Sequence, residues 1–182
     1  MATSSAAPGP DYPCDWQRTA QTRDGILYRI RPIRPDDTER ERSFIEALSP
    51  ESRYTRLMST MGAPAPELVE RFVHVDYRRS MAFVAVEGSE DAEHIIGVAR
   101  YAQDRSSRSE FAVAVLDRWQ SRGVGTELSR LLFEYARSQG IRSLYAIILA
   151  ANRPMIALAL RLGMSTEPFP GDPGLILASC RL

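Results

Sequence analysis

The sequence predicts an α/β protein: a mixed central β-sheet flanked by helices and folded as a single domain. Three observations predict it. The hydrophobic period switches between two and about 3.6 residues along the chain. Three strand-like runs follow one another in the middle as a meander. Beyond them the pattern alternates helix, strand, helix, strand, as connected βαβ units do. The chain has 182 residues, which suits one domain with a substantial core, and no internal repeat or second domain is evident.

The elements follow in order. Residues 1–22 are rich in Ala, Ser, Thr, Pro and Gly, and are expected to form a flexible tail ahead of a domain spanning 23–182. From Ile26 to Ile33 apolar residues alternate with polar ones, a strand signal. Asp36 with Glu39 reads as a capping box opening a helix that runs to about Leu48. Ser49-Pro50 reads as a second cap leading a short helix through Met58. Gly62 to Pro66 breaks the chain, and a third helix then carries Leu68, Val69, Phe72 and Val73 on one side.

Met81–Val86, Ile95–Ala102 and Ser109–Leu116 form the meander. Arg122–Gln139 is amphipathic and closed by Gly140. Leu144–Leu149 is almost continuously apolar, as in a strand buried on both faces. Asn152–Leu162 is a helix stopped by Gly163, and Leu175–Cys180 is a last strand.

Composition narrows the function. Formal charge is zero with a pI near 6.8, which gives no reason to expect a nucleic acid or an anionic membrane as partner. No apolar run reaches the roughly 18–20 residues of a membrane span, and the N-terminal stretch lacks signal-peptide character, so a cytoplasmic protein is expected. Cys14 and Cys180 form no metal or redox pattern, and two histidines are too few for a metal cluster; no metal is expected. All 23 basic residues are Arg. Codon bias explains that adequately, although an enzyme acylating lysines would also benefit from having none of its own.

The informative stretch is Gln120-Ser121-Arg122-Gly123-Val124-Gly125-Thr126, between a strand and a helix. Free N–H groups at a helix start bind phosphate, aided by the dipole. Glycines at 123 and 125 would leave room for that approach, Arg122 adds charge, and Thr126 adds a hydroxyl. A P-loop needs a lysine, and the chain has none. A dinucleotide fingerprint needs a third glycine, but position 128 is Leu, and no acidic residue lies in 143–149. A plain glycine-tightened turn is the bland alternative.

The pattern that fits is the Gln/Arg-x-x-Gly-x-Gly/Ala loop of the GNAT acyltransferase superfamily, which the segment resembles over roughly residues 25–168. Within it the chain looks most like the acetyltransferase domain of bacterial Pat-type protein lysine acetyltransferases. That closer match rests on Leu48-Ser49-Pro50-Glu51-Ser52-Arg53-Tyr54, Val75-Asp76-Tyr77, Met81–Ala85, Ile96–Arg100, Glu110–Val113 and Asn152-Arg153-Pro154-Met155. The resemblance implies a GNAT fold and an N-acetyltransferase moving the acetyl group of acetyl-CoA onto an amine, foremost a protein lysine. It implies that the main chain of Val113, Ala114 and Val115 pairs with the pantetheine arm of CoA. Gln120, Ser121, Arg122, Gly123, Val124, Gly125 and Thr126 would wrap the pyrophosphate, and Asn152 would touch the cofactor as well as cap its helix.

An attacking amine must be neutral, yet a free lysine titrates near ~10.4, so a base is expected. Glu110 is the candidate. Alternation puts Glu110, Ala112 and Ala114 on one face and Phe111, Val113 and Val115 on the other, leaving small side chains beside the carboxylate. Pat-type enzymes carry a base Glu at the matching place; the bland alternative is a solvated Glu. Many superfamily members have a Tyr seven residues after the Asn to protonate the thiolate, but here that position is Ala159. Tyr135 and Tyr145 are expected to be packed rather than catalytic, and Asp37–Arg42 to be a solvated helix face. Direct attack in a ternary complex is therefore expected, without an acyl-enzyme. The rivals are a small-molecule amine acceptor and a CoA-binding sensor without turnover.

Overall fold

The computed structural model describes residues 11–57, 65–89, 92–104 and 106–182, with the side chains of 54–57 set aside. Strands β1 (Arg18–Gln21) and β2 (Leu27–Pro32) form a hairpin, followed by helices α1 (Thr38–Ala47), α2 (Pro50–Leu57) and α3 (Pro66–Val73). Then come β3 (Ser80–Glu87), β4 (His94–Gln103), β5 (Ser109–Val115), α4 (Val124–Ser138), β6 (Ser143–Leu149), α5 (Arg153–Arg161), β7 (Ser165–Phe169) and β8 (Asp172–Arg181). The sheet order is β1-β2-β3-β4-β5-β6-β8-β7, antiparallel throughout except for the parallel β5–β6 pair. The mixed α/β architecture is the one expected.

α4 packs on one face because Gly97 lets it approach. A Cβ at Gly97 would lie 3.0 Å from Leu128 Cδ1 and 3.3 Å from Val115 Cγ2. Val124, Leu128, Leu131, Leu132 and Tyr135 are buried there, on the apolar stripe the period predicts. α1 contacts β4 and α2 contacts β5. Since α4 holds the Val113–Val115 face, α2 lies against the Ala112–Ala114 side.

Several expectations are corrected. Residues 1–10 lie outside the described residues, but 11–22 are not a tail. β1 pairs with β2, Tyr12 is buried with its hydroxyl donating to Pro32 O, and Trp16 stacks edge-on against Tyr135 at 4.9 Å. Two aromatic anchors and a strand ladder outweigh the loop-like composition around them. The Met58 end of the second helix and most of the Gly62–Pro66 break also lie outside the described residues.

Asp37, not Asp36, organises the start of α1: its carboxylate accepts the Arg34 N–H at 2.8 Å after a 3-10 turn over Pro35–Asp37. Nor is Asp37–Arg42 a solvated face, because Asp37 and Glu41 are buried. Arg31 grips Asp37 through two 2.7 Å bonds and Glu93 through a third, and Glu41 pairs with Arg100, whose guanidinium lies 4.0 Å from the Phe72 ring centre. Burial pushes the Asp37 carboxyl up, but Arg31, the Arg34 N–H and Arg40 outweigh it and hold it below its ordinary value.

β6 is buried on one face only. Leu144, Ala146 and Ile148 are covered, whereas Tyr145, Ile147 and Leu149 are half-buried. β7 has no counterpart in the sequence reading. Its Pro168 and charged Glu167 hide a strand signal, and the edge position tolerates both.

Candidate active site

The site is built where β5 and β6 part. β5 stays paired with β4 from Ser109 to Val115, but with β6 only at Ser109 and Glu110. Beyond Glu110 the β6-facing edge of β5 is open. Main-chain direction alternates along a strand, and the Leu116 N–H donates toward β4, to Ile96 O. The N–H and C=O groups of Val113 and Val115 therefore point into the gap. Val115 O is met there by Gln120 Nε2 at 3.0 Å. An extended chain bearing amides would find a strand edge to pair with.

The loop after β5 supplies the second part. A 3-10 turn (Asp117–Trp119) buries Trp119 and sets Gln120 at the loop entrance. Ser121 and Gly123 have φ of 59° and 100°, so two left-handed residues fold the chain back into α4. The N–H groups of Ser121, Arg122, Gly123, Val124 and Gly125 find no acceptor among the described residues, and they converge on the start of a 15-residue helix. These residues fit a diphosphate. The two glycines serve different needs. Gly123 is required by its φ, whereas a Cβ at Gly125 would point at Val115, Leu158 and Val113 at 3.4–4.0 Å, into the helix–sheet contact.

Arg122 is held by Asp24 of the β1–β2 turn at 2.9 Å, and Thr126 lies one turn along. Both border an open cavity of about 520 Å³ that Arg18, Arg23, Arg130 and Arg161 also line. Ala114, between the two gap-facing valines, turns its main chain to β4. Asn152 caps α5, its Oδ1 accepting the Met155 N–H at 3.1 Å, and its amide nitrogen is left as a donor.

Glu110 is exposed, at the last β5–β6 rung, in register with Ala102 and Tyr145. Its side chain stands on the Ala112–Ala114 face, where a substrate can reach it. Tyr145, expected to be packed elsewhere, is thus the neighbour of Glu110. It is half-buried with the Arg108 guanidinium 5.0 Å from its ring centre, and burial, then the Glu110 and Asp104 carboxylates, raise its pKa. A strand-pairing register is the missing signal, and no local pattern encodes it. Tyr135 is buried, its hydroxyl on Tyr77 O, and Ala159 is fully buried.

Three polar residues nearby have structural partners. Asp76 accepts the N–H groups of Arg78, Arg79 and Ser80, Arg53 donates to Glu46 O and Leu48 O, and His74 ends α3. Sequence reading missed one feature near the site: the Asp117 carboxylate receives the Ser49 N–H and both the Ser49 and Ser52 hydroxyls. Among the described residues no group of three or more metal-ligating side chains is close enough to hold a metal, and no helix is long and apolar enough to cross a membrane.

Comparison with known proteins gives the class. The profile of the Acetyltransferase (GNAT) family matches residues 41–164. The chain is 37% identical over 150 residues to a Pseudomonas aeruginosa acetyltransferase (PA5475), covering 82% of this chain and 81% of that one. It is 31% identical over 145 residues to acetyltransferase Pat of Mycolicibacterium smegmatis, covering 79% of this chain but 43% of that longer one. In structure it matches the GNAT domain of S. lividans PAT with a TM-score of 0.86 and 30% identity, over 94% of this chain and 99% of that domain. The chain belongs to the GNAT acetyltransferase family. It is an acyl-CoA-dependent N-acetyltransferase, and acetyl-CoA is the co-substrate of its family.

Proposed function

We propose that the acceptor is a protein lysine ε-amine, acetylated by direct attack with Glu110 as base. The observation that carries this reading is the position of Glu110: an exposed carboxylate at the fork where the open edge of β5 begins. The main chain of Val113 and Val115 aligns the pantetheine arm along that edge, and the loop N–H groups from Ser121 to Gly125 hold the diphosphate. Asn152 offers its amide nitrogen from the far side. When bound, acetyl-CoA supplies the activated acyl group.

Glu110 accepts a proton from the ammonium, directly or through one water. The freed nitrogen lone pair attacks the thioester carbonyl, the new C–N bond forms as C–S breaks, and the second proton shed by the nitrogen passes through water to the leaving thiolate, giving the amide and free CoA thiol. A thiol's reference pKa near ~8.5 makes it a good leaving group, so the absence of a Tyr at position 159 is tolerable. Of the two thiols, Cys14 is exposed, and Cys180 on β8 is half-buried with burial raising its pKa, which suits a mechanism without an acyl-enzyme. The similarity to Pat and the PAT domain supports a protein acceptor, and cytoplasmic residence, where such thiols stay reduced, belongs to the same reading.

The test is thiol release from acetyl-CoA with lysine-bearing proteins against a panel of small amines. Release with proteins, and acetyl-lysine in the product by mass spectrometry, is expected. Release with small amines alone would overturn the acceptor assignment. Tight CoA binding without release from either would make the protein a sensor.

A further inference from the structure

The start of α2 and the cofactor loop are 65–68 residues apart in sequence but share one hydrogen-bond network. Asp117 Oδ2 accepts the Ser49 N–H at 3.0 Å, and Oδ1 accepts the Ser49 hydroxyl at 3.0 Å and the Ser52 hydroxyl at 2.8 Å. Ser49 in turn caps α2 by accepting the Ser52 N–H at 3.2 Å. Gln120 Nε2 then donates to two acceptors, Ser52 Oγ at 3.3 Å and Val115 O at 3.0 Å. One amide group thus touches both α2 and the open edge of β5. Burial acts to raise the Asp117 pKa, but the Ser49 N–H and the two hydroxyls outweigh it, so the carboxylate stays ionised and the network stays formed at neutral pH.

The arrangement exceeds what capping requires. A serine N-cap satisfies a helix start alone, yet here the cap is itself held by a carboxylate from the turn that leads into the phosphate-facing loop. α2 lies on the Ala112–Ala114 side of β5, the side on which Glu110 stands. A ligand that takes Val115 O shares or competes for that oxygen with Gln120 Nε2, and any shift of Gln120 changes its bond to Ser52.

We propose that Ser52, held by Asp117, is a positioning residue through which occupancy of the cofactor loop sets α2 beside the acceptor face. The inference rests on the cofactor site proposed above. It makes binding ordered: the cofactor fixes α2, and the acceptor meets a surface already in place. The hydroxyl of Ser52 is the coupling atom because, among the described residues, it is the one that bonds both to Asp117 and to the Gln120 side chain.

The test is amide hydrogen exchange on the full chain with and without coenzyme A, read on a peptide covering residues 49–57, after calorimetry has established CoA binding to each variant. In the native chain CoA should slow exchange in this segment by about fivefold or more, the low end of ordinary site-to-site coupling. Ser52→Ala should bind CoA but reduce that ratio to within about twofold of unity, and Ser52→Thr, which keeps the hydroxyl, should restore it. A purely structural cap would behave differently: Ser52→Ala would speed exchange equally with and without CoA and leave the ratio intact, which overturns the proposal. So would an unchanged α2 in the native chain on adding CoA. Asp117→Asn, which removes the charge but keeps the shape, should weaken the ratio without abolishing CoA binding. No heat with CoA in the native chain would sink the cofactor site itself, an outcome distinguishable from loss of coupling.

Discussion

The two loop glycines can be separated by paired substitutions, Gly123→Ala and Gly125→Ala. Gly123 sits at φ 100° and ψ −14°, and an added Cβ there would meet only Arg23 Cγ at 4.0 Å. The cost is therefore conformational rather than steric, about 1–2 kcal/mol for an L-residue held on the left-handed side. A domain of this size loses roughly 2–4 °C of Tm per kcal/mol, so Gly123→Ala should melt about 2–8 °C lower. The strain can also relax by swinging the loop, which misdirects the N–H groups of Val124 and Gly125. Losing about 1.4 kcal/mol of binding in this way raises KM for acetyl-CoA roughly tenfold, with kcat nearly kept. Gly125 has ordinary helical φ, and its Cβ would make van der Waals contacts at 3.4 Å with Val115 and 3.8 Å with Leu158. Alanine there fills space and favours the helix by up to about 1 kcal/mol, so Tm should hold or rise. Calorimetric melting and acetyl-CoA titrations at saturating acceptor read both variants. If Gly125→Ala proves the more damaging to stability, or Gly123→Ala changes neither Tm nor KM, the assignment of different duties to the two glycines is wrong.

Glu110→Gln keeps the shape and removes the base: CoA affinity measured by calorimetry should be unchanged while kcat falls about 10²–10⁴-fold, and near-normal turnover would remove Glu110 from the mechanism. Asp37→Asn leaves Arg31 without half of its buried partner and should cost roughly 3–5 kcal/mol in denaturant unfolding. The depressed pKa of Asp37 gives the sign of its pH dependence. Its contribution is fully present above the unfolded value of 3.8 and is lost as pH falls below that toward the folded pKa, so the native chain should show an acid limb there that Asp37→Asn flattens. Trp16→Ala, at a half-buried ring packed on Tyr135 and Phe83, should lower stability by about 2 kcal/mol; a neutral result would mean that residues 11–22 add nothing to the domain.

What the sequence revealed and what it concealed divide by distance along the chain. The strand–loop–helix turn proposed to hold the diphosphate was legible because its parts are contiguous: a strand end, a left-handed Gly123 and a helix start occupy seven residues. The meander was legible for the same reason. Arg31 and Glu93 are 62 residues apart, Glu41 and Arg100 are 59, and Ser49 and Asp117 are 68. A charged residue whose partner lies that far away has the same local signature as one facing water, so Glu41 reads as solvated although it is buried, and Asp37 reads the same way because Arg31, only six residues back, belongs to a different element, strand β2. The second face of β6 failed in the opposite sense. Ile147 and Leu149 look like core residues, and whether a helix covers them is a matter of topology rather than composition.

The fork shows how these levels join. In any β-strand the side chains and the main-chain polar groups alternate together, so choosing a face for Glu110 also chooses the directions in which Val113 and Val115 point. The β4–β5 register pairs Glu110 with Ala102 and Val115 with Gly97, and the absent side chain at 97 is what lets α4 press on the opposite face. Shifting β5 by one residue would turn Glu110 toward α4, bury the carboxylate, and send the gap-facing N–H groups into β4. The proposed base and the proposed cofactor edge are thus not two inventions on one scaffold. They are set by one register, held by Gly97 and by the Phe111, Val113 and Val115 side chains, and a mutation that slips that register should abolish cofactor binding and turnover together.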